Sequence, residues 1–160
     1  MSGHGPQRLS AKPSSGVASL RALARTATSD DVVGGIRIVR LGQPRERGEG
    51  LRIGTVRRPP RGVKKADFAK RDFYDVWLPD LAPTQDLVSF AMHDEWTPAR
   101  WKTFERKYRG EMRAQTHLLA LLAALSHTTN FSVGCYCEDE TVCHRSVLRE
   151  LLREHGAAIA

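Results

Sequence analysis

Apolar and basic residues alternate along Ile36-Arg37-Ile38-Val39-Arg40-Leu41, which predicts a strand with one buried and one solvated face. The alternation returns at Leu51-Arg52-Ile53-Gly54-Thr55-Val56 and predicts a second strand. It stops at Pro59-Pro60, where two amide donors are missing and no ladder can continue. Between the two strands, residues 42–50 read as a loop of Gly, Pro and charge. An aromatic-rich stretch with Phe68, Phe73, Tyr74 and Trp77 then leads into a proline-marked bend, where Thr84 is placed to cap a helix over 85–92. Thr97 and Pro98 open the next helix as cap and first-turn proline, and Trp101, Phe104, Tyr108 and Met112 recur at spacings of three and four along it. That stripe reads as core. A strongly apolar helix over 117–125, a buried strand over 130–134 and an amphipathic helix over 142–155 complete the pattern.

Strands interleaved with helices make this an α/β chain, with residues 31–160 forming one domain. Residues 1–30 are rich in Ser, Gly, Ala and Arg and have little to bury, so they read as a disordered basic extension, with a short amphipathic helix at 17–27 as its one candidate element. An acid-free, Arg- and Ser-rich start also has the look of a transit peptide, although an Ala- and Arg-rich composition yields such tails by chance.

Charge divides the chain. Its net value is +7, yet residues 1–65 carry 14 Lys/Arg against 4 Asp/Glu, while the remainder carries 11 against 14. A nucleic acid or acidic ligand would therefore meet the first half, through Arg57, Arg58, Arg61, Lys64 and Lys65, with Arg57 and Arg61 the candidate substrate contacts. No base-reading motif and no interleaved aromatics accompany these residues. No apolar stretch is long enough to cross a bilayer, so no membrane partner is expected. Three cysteines, an odd number, without an apolar signal segment imply reduced thiols and a cytoplasmic setting.

Those cysteines concentrate the chemistry. Cys135-Tyr136-Cys137-Glu138-Asp139-Glu140-Thr141-Val142-Cys143-His144-Arg145 occupies a strand-to-helix turn, the place where α/β folds build sites. Cys135 and Cys137 share a strand face, Cys143 and His144 extend the apolar stripes of the helix, and Arg145 falls with Arg149 and Arg153 on another face. Three readings follow. In a thiol site, Cys143 at the helix N-terminus is the nucleophile, Cys137 resolves it, His144 and Arg145 assist, an unidentified small molecule is the substrate, and no cofactor is required. In a metal site, Cys135, Cys137, Cys143 and His144 are soft ligands for zinc or iron, provided the first helical turn distorts to aim both neighbours at one ion. In the plainest reading the thiols are buried packing. The three acids of the turn oppose thiolate formation and repel phosphate. Arg145, a cation misplaced in a first turn, implies a carboxylate or anion that it answers. His93-Asp94 offers a base with its orienting acid, or an ordinary surface pair.

The runs Trp77-Leu78-Pro79-Asp80-Leu81-Ala82-Pro83-Thr84, His93-Asp94, Trp101-x-x-Phe104-x-x-x-Tyr108-x-x-Glu111 and Cys137-x5-Cys143-His144-Arg145 resemble the domain of unknown function 488 family, in particular its YeaO-like branch. Pro60-Arg61-Gly62-Val63-Lys64-Lys65 is similar to that branch's proline-arginine-glycine turn. The resemblance implies a compact domain with a mainly parallel sheet flanked by helices, and it brings no settled activity. Ahead of the turn the branch usually carries an aspartate, an arginine and a tryptophan, where this chain has Val56, Arg57 and Pro59.

Overall fold

The computed structural model describes residues 34–160, and the extension expected over 1–30 lies outside them. Four strands, β1 (Gly35–Arg40), β2 (Leu51–Gly54), β3 (Val76–Trp77) and β4 (Asn130–Cys135), form one parallel sheet in the order β1-β4-β2-β3. Helices α1 (Gln85–His93), α2 (Pro98–Met112) and α3 (Thr116–Leu125) make up the crossover from the edge strand β3 to the interior strand β4, and α4 (His144–Glu154) follows β4. The expected single α/β domain with a parallel sheet is what the described residues form. The short strand β3 is an addition: pattern reasoning has only an aromatic bend there, because two exposed residues carry no alternation.

Capping residues act as the sequence predicts. The Thr84 hydroxyl accepts from Leu87 N to start α1, and that of Thr97 accepts from Arg100 N to start α2 behind Pro98. On one face of the sheet Ile36, Ile53, Phe131 and Val133 pack against Leu119, Val147, Leu148 and Leu152 of the helices. The Phe104 and Tyr108 stripe of α2 is buried in the same core, as its spacing predicts.

On the other face the β1–β2 and β2–β3 connections are joined to the sheet by a buried polar network. Arg52, expected on an alternating strand, is only 1% exposed, while its neighbour Leu51 is 48% exposed. The physical reason is a partner. Glu49 receives Arg52 Nε at 2.6 Å and Nη2 at 2.9 Å, and it also accepts from Ser132 Oγ at 2.7 Å on the adjacent strand. Arg52 Nη1 donates to the carbonyls of Gln43 and Asp72, and Arg52 N donates to Asp75, itself held by Arg45. The loop is fastened to the sheet at its end too. Gly50 has φ +78°, and a Cβ there would overlap the Asn130 carbonyl, so only glycine brings the chain onto β4.

A buried pair stripped of one partner leaves an uncompensated charge, which costs about 3–5 kcal/mol. Glu49→Gln is expected to lose that much in chemical denaturation at neutral pH. Burial alone would raise the Glu49 carboxyl, but its bonds from Arg52, Ser132 and Glu46 N prevail and lower it from 4.5 to about 2. The stability it confers is therefore complete above pH 4.5 and lost as pH falls through about 2. The gap between wild type and Glu49→Gln should close over that window; a constant gap would refute the assignment.

Candidate functional site

At the carboxyl ends of the strands β4 gives way to Tyr136 and Cys137, and a one-turn 3-10 segment, Glu140–Val142, leads to Cys143. Cys143 is the N-cap of α4, with extended φ −123° and ψ 144°, and its side chain makes no capping bond. The turn returns on itself because Asp139 Oδ1 accepts from both Thr141 N, at 2.9 Å, and Thr141 Oγ1, at 2.6 Å. All three sulfurs consequently lie within 4.8 Å of one another, as free cysteines. Cys135 Sγ is 3.5 Å from Cys137 Sγ. Cys135 and Cys143 are buried, whereas Cys137 is exposed.

His144 does not join that cluster. Its ring is buried, and Nε2 donates to the Thr55 carbonyl at 2.8 Å, with Thr55 Oγ1 at 3.3 Å. Because that bond takes the proton on Nε2, Nδ1 is left as an acceptor, 3.9 Å from Cys143 Sγ. Burial pushes the imidazole down to about 4, so it is neutral at neutral pH. Thr55 is itself fixed by bonds of its N and Oγ1 to the Gly134 carbonyl, each at 3.0 Å. The edge of the Tyr108 ring closes the far side of the imidazole, with ring centroids 5.4 Å apart.

Arg145, placed by helical spacing on a face with Arg149 and Arg153, is buried. It is 4% exposed, and Nη2 turns back under the cysteine turn to donate to Cys137 O at 3.0 Å and Glu138 O at 3.4 Å. Backbone carbonyls thus answer the cation that sequence reasoning paired with a carboxylate or an anion, and Nε has no partner. Helical spacing places Arg145 with the other arginines, but the first turn of a helix following a tight loop lies beneath that loop, and the carbonyls there need donors.

The acids of the turn are also engaged. Glu138 pairs with Arg40 at 3.8 Å and Glu140 pairs with Arg149, which offsets the repulsion expected from an all-negative loop. The Cys135 and Cys143 thiols hold the Cys137 thiol well below its ordinary range against the effect of burial, with the Arg145 charge contributing least. The cost falls on its neighbours: Cys143 is pushed well above its ordinary value by Cys135, Cys137 and burial, and Cys135 is raised by Cys137. These shifts favour ionisation at the one exposed sulfur over its two buried neighbours.

Arg57 is spent within the fold, donating to the carbonyls of Pro79, Ala82 and Pro83. Arg61 is exposed and makes no side-chain bond or ion pair among the described residues. Their basic turn is tied to the cysteine segment by Tyr136 Oη, which donates to Arg58 O at 3.1 Å. Tyr74 packs its ring on Gly54, where a Cβ would overlap it, and joins Cys135, Cys143, Leu41 and Val56 in a small apolar cluster under the site. His93 and Asp94 form an exposed surface pair at 3.0 Å, remote in sequence from these bonds. A hollow of about 280 Å³ lined by Leu51, Leu122, Leu125 and Phe131 lies at the opposite, amino ends of the strands. No helix of the described residues is long and apolar enough to cross a membrane.

A family model described as the active DUF488-N3 subclade, DUF488-N3a, matches residues 36–156. The uncharacterized protein YeaO of Escherichia coli (strain K12) is 29% identical over 118 residues, covering 74% of this chain and 96% of its own length. No solved structure matches the chain. The chain belongs to the DUF488 family, as its motifs imply, and the match spans every strand and helix except the first residue of β1.

His144 supplies a pH signature of the site. Its folded value of about 4 lies below its ordinary 6.5, so the unfolded chain binds the proton more readily. Stability linked to this group is intact above pH 6.5 and declines by ~3 kcal/mol as pH falls to 4, at about 1.4 kcal/mol per unit. His144→Gln keeps a donor for the Thr55 carbonyl and cannot titrate. Its denaturation midpoint should lack this part of the acid decline; an identical decline in both proteins would show that His144 is not buried neutral.

Proposed function

We propose that this DUF488 protein performs thiol chemistry on an electrophilic small molecule, with the Cys137 sulfur as the attacking atom and no cofactor. The observation that carries this reading is the asymmetry of the cluster: three sulfurs within 4.8 Å, of which one is exposed and two are buried around it. A thiolate is the reactive form of cysteine, and a thiolate at Cys137 is supported by the nearby thiols and by the Arg145 guanidinium held against the Cys137 carbonyl. The reading exchanges the expected roles, because Cys143 is the deepest of the three and its proton is the hardest to remove. The description of the matching subclade as active agrees with a chemical role. A cytoplasmic location suits the free thiols.

A metal site is the second reading, favoured by the same three sulfurs, which could serve zinc or iron as a three-thiolate set with one open position. His144 is not part of the group whose ligand atoms lie within 4.8 Å of one another, so it does not complete a fourth position as the residues stand. Binding of a nucleic acid through the basic turn has less support, because Arg57 is committed to carbonyls and Arg58 Nε donates to Gln85.

Alkylation of the full chain with iodoacetamide at pH 6, followed by peptide mass spectrometry, tests the assignment. Cys137 should be modified at least ~10-fold faster than free cysteine, whose ordinary value near 8.5 leaves it almost wholly protonated there. Cys135 and Cys143 should be left unmodified. Arg145→Gln should move the reactive range of Cys137 to higher pH, since a cation beside the thiolate is removed. Reaction of Cys137 no faster than free cysteine would sink the thiol reading, and one firmly bound zinc per chain with all three thiols protected would establish the metal reading instead.

A further inference from the structure

We infer that Cys137 and Cys143 are a redox pair, cycled by a hydroperoxide and a dithiol reductant, with His144 as the base that releases Cys143. The inference rests on the thiol reading of Cys137 and assigns the other two sulfurs and the imidazole distinct tasks.

Geometry separates the two buried thiols. Cys135 lies 3.5 Å from Cys137 and has no nitrogen base beside it among the described residues. Its thiol donates towards the exposed sulfur, which suits a group that steadies charge. A Cys135–Cys137 bridge would close a ring over one intervening residue, whereas a Cys137–Cys143 bridge spans five and leaves the backbone more freedom to meet disulfide geometry. Cys143 faces differently. Its sulfur lies within 4.8 Å of Cys137 and 3.9 Å from His144 Nδ1, the nitrogen that the Thr55 bond leaves without a proton. The turn between Cys137 and Cys143 is closed already by Asp139 and Thr141, so the two ends of the prospective bridge are brought together by the fold.

The chemistry balances with the two named co-reactants. The Cys137 thiolate attacks the terminal oxygen of a hydroperoxide, forming an S–O bond as the O–O bond breaks. The departing alkoxide or hydroxide takes a proton from water, and the sulfur, oxidised by two electrons, is a sulfenic acid. Cys143 then attacks that sulfur while its proton passes to His144 Nδ1. The S–O bond breaks, and the leaving hydroxide takes the proton from Nδ1 and departs as water. A dithiol reductant returns the disulfide to two thiols by exchange and becomes a disulfide itself. Cys135 is unchanged throughout.

The test exposes the full chain to one equivalent of hydrogen peroxide and maps disulfides by peptide mass spectrometry. A Cys137–Cys143 bridge should form in wild type and in Cys135→Ser, and dithiothreitol should reverse it. Cys143→Ser should accumulate Cys137 sulfenic acid, trapped by dimedone at least ~10-fold more than in wild type, because the resolving step is missing. His144→Gln should slow bridge formation and leave the first oxidation unchanged, a split that damage to packing alone would not produce. Should Cys143→Ser misfold, the wild-type map and the His144→Gln rates decide the matter. A Cys135–Cys137 bridge, or over-oxidation of Cys137 with no bridge, would overturn the pair even where rapid alkylation upholds Cys137 as the reactive sulfur. Slow alkylation together with no bridge would remove both readings, and peroxide that merely released a bound metal would also overturn the pair.

Discussion

One buried hydrogen bond, from His144 Nε2 to the Thr55 carbonyl at 2.8 Å, joins the end of β2 to the start of α4 and sets the terms for the rest of the site. The Thr55 carbonyl lies beyond the last ladder pair of β2 and has no neighbouring strand to serve it. A buried carbonyl without a donor would cost about 1–3 kcal/mol, so the imidazole is needed there structurally. Meeting that need fixes the ring's tautomer, its orientation and its neutrality at once. It also fixes what the ring can offer on its other side, an acceptor pointed at Cys143.

The same economy governs the buried cations. Arg52 and Arg145 are both almost wholly enclosed, and each is surrounded by carbonyls that lack ladder partners: those of Gln43 and Asp72 for Arg52, and those of Cys137 and Glu138 for Arg145. A guanidinium with several donors can serve several divergent acceptors where no regular element could reach them. Arg52 also has a carboxylate, and with Glu49 it ties the β1–β2 connection to β4. Arg145 has none among the described residues, so its charge remains available to the electrostatics of the turn above it, where it acts on Cys137 and Asp139. The buried guanidinium thereby gives the cysteine turn a charged floor.

Residues that pack or cap were legible in the sequence. The alternation of 36–41 and 51–56, the Thr84 and Thr97 caps and the Phe104–Tyr108 stripe are local patterns, and local patterns survive folding. The coming together of Cys135, Cys137 and Cys143 was legible from their closeness in sequence on one strand-to-helix turn, although β4 ends at Cys135 and a bend at Tyr136, not strand periodicity, places Cys137. Arg52, Glu49, Thr55 and the burial of Arg145 were not. Each depends on a partner distant in sequence, such as Ser132 for Glu49 and His144 for Thr55, and periodicity contains no term for such partners. An arginine on an alternating strand reads as solvated unless the carboxylate that buries it is known. The division of the cysteines into one exposed and two buried sulfurs was hidden likewise, because it follows from where the helix begins and what lies above it.

A metal centre and a thiol pair make opposite demands on Cys143. A metal needs it as a thiolate, with its lone pairs turned to the ion. The resolving role needs it protonated until the moment of attack, with a base in reach. The orientation of His144 bears on this choice, because a neutral imidazole whose Nε2 carries the proton presents a lone pair from Nδ1. A lone pair facing a thiolate is repulsive, whereas one facing a thiol is the acceptor of its proton. Turning the ring to relieve that repulsion would abandon the Thr55 carbonyl, which has no other side-chain donor at so short a distance. The bond that secures β2 to α4 thus favours a protonated Cys143, the form from which the proposed two-thiol cycle would start.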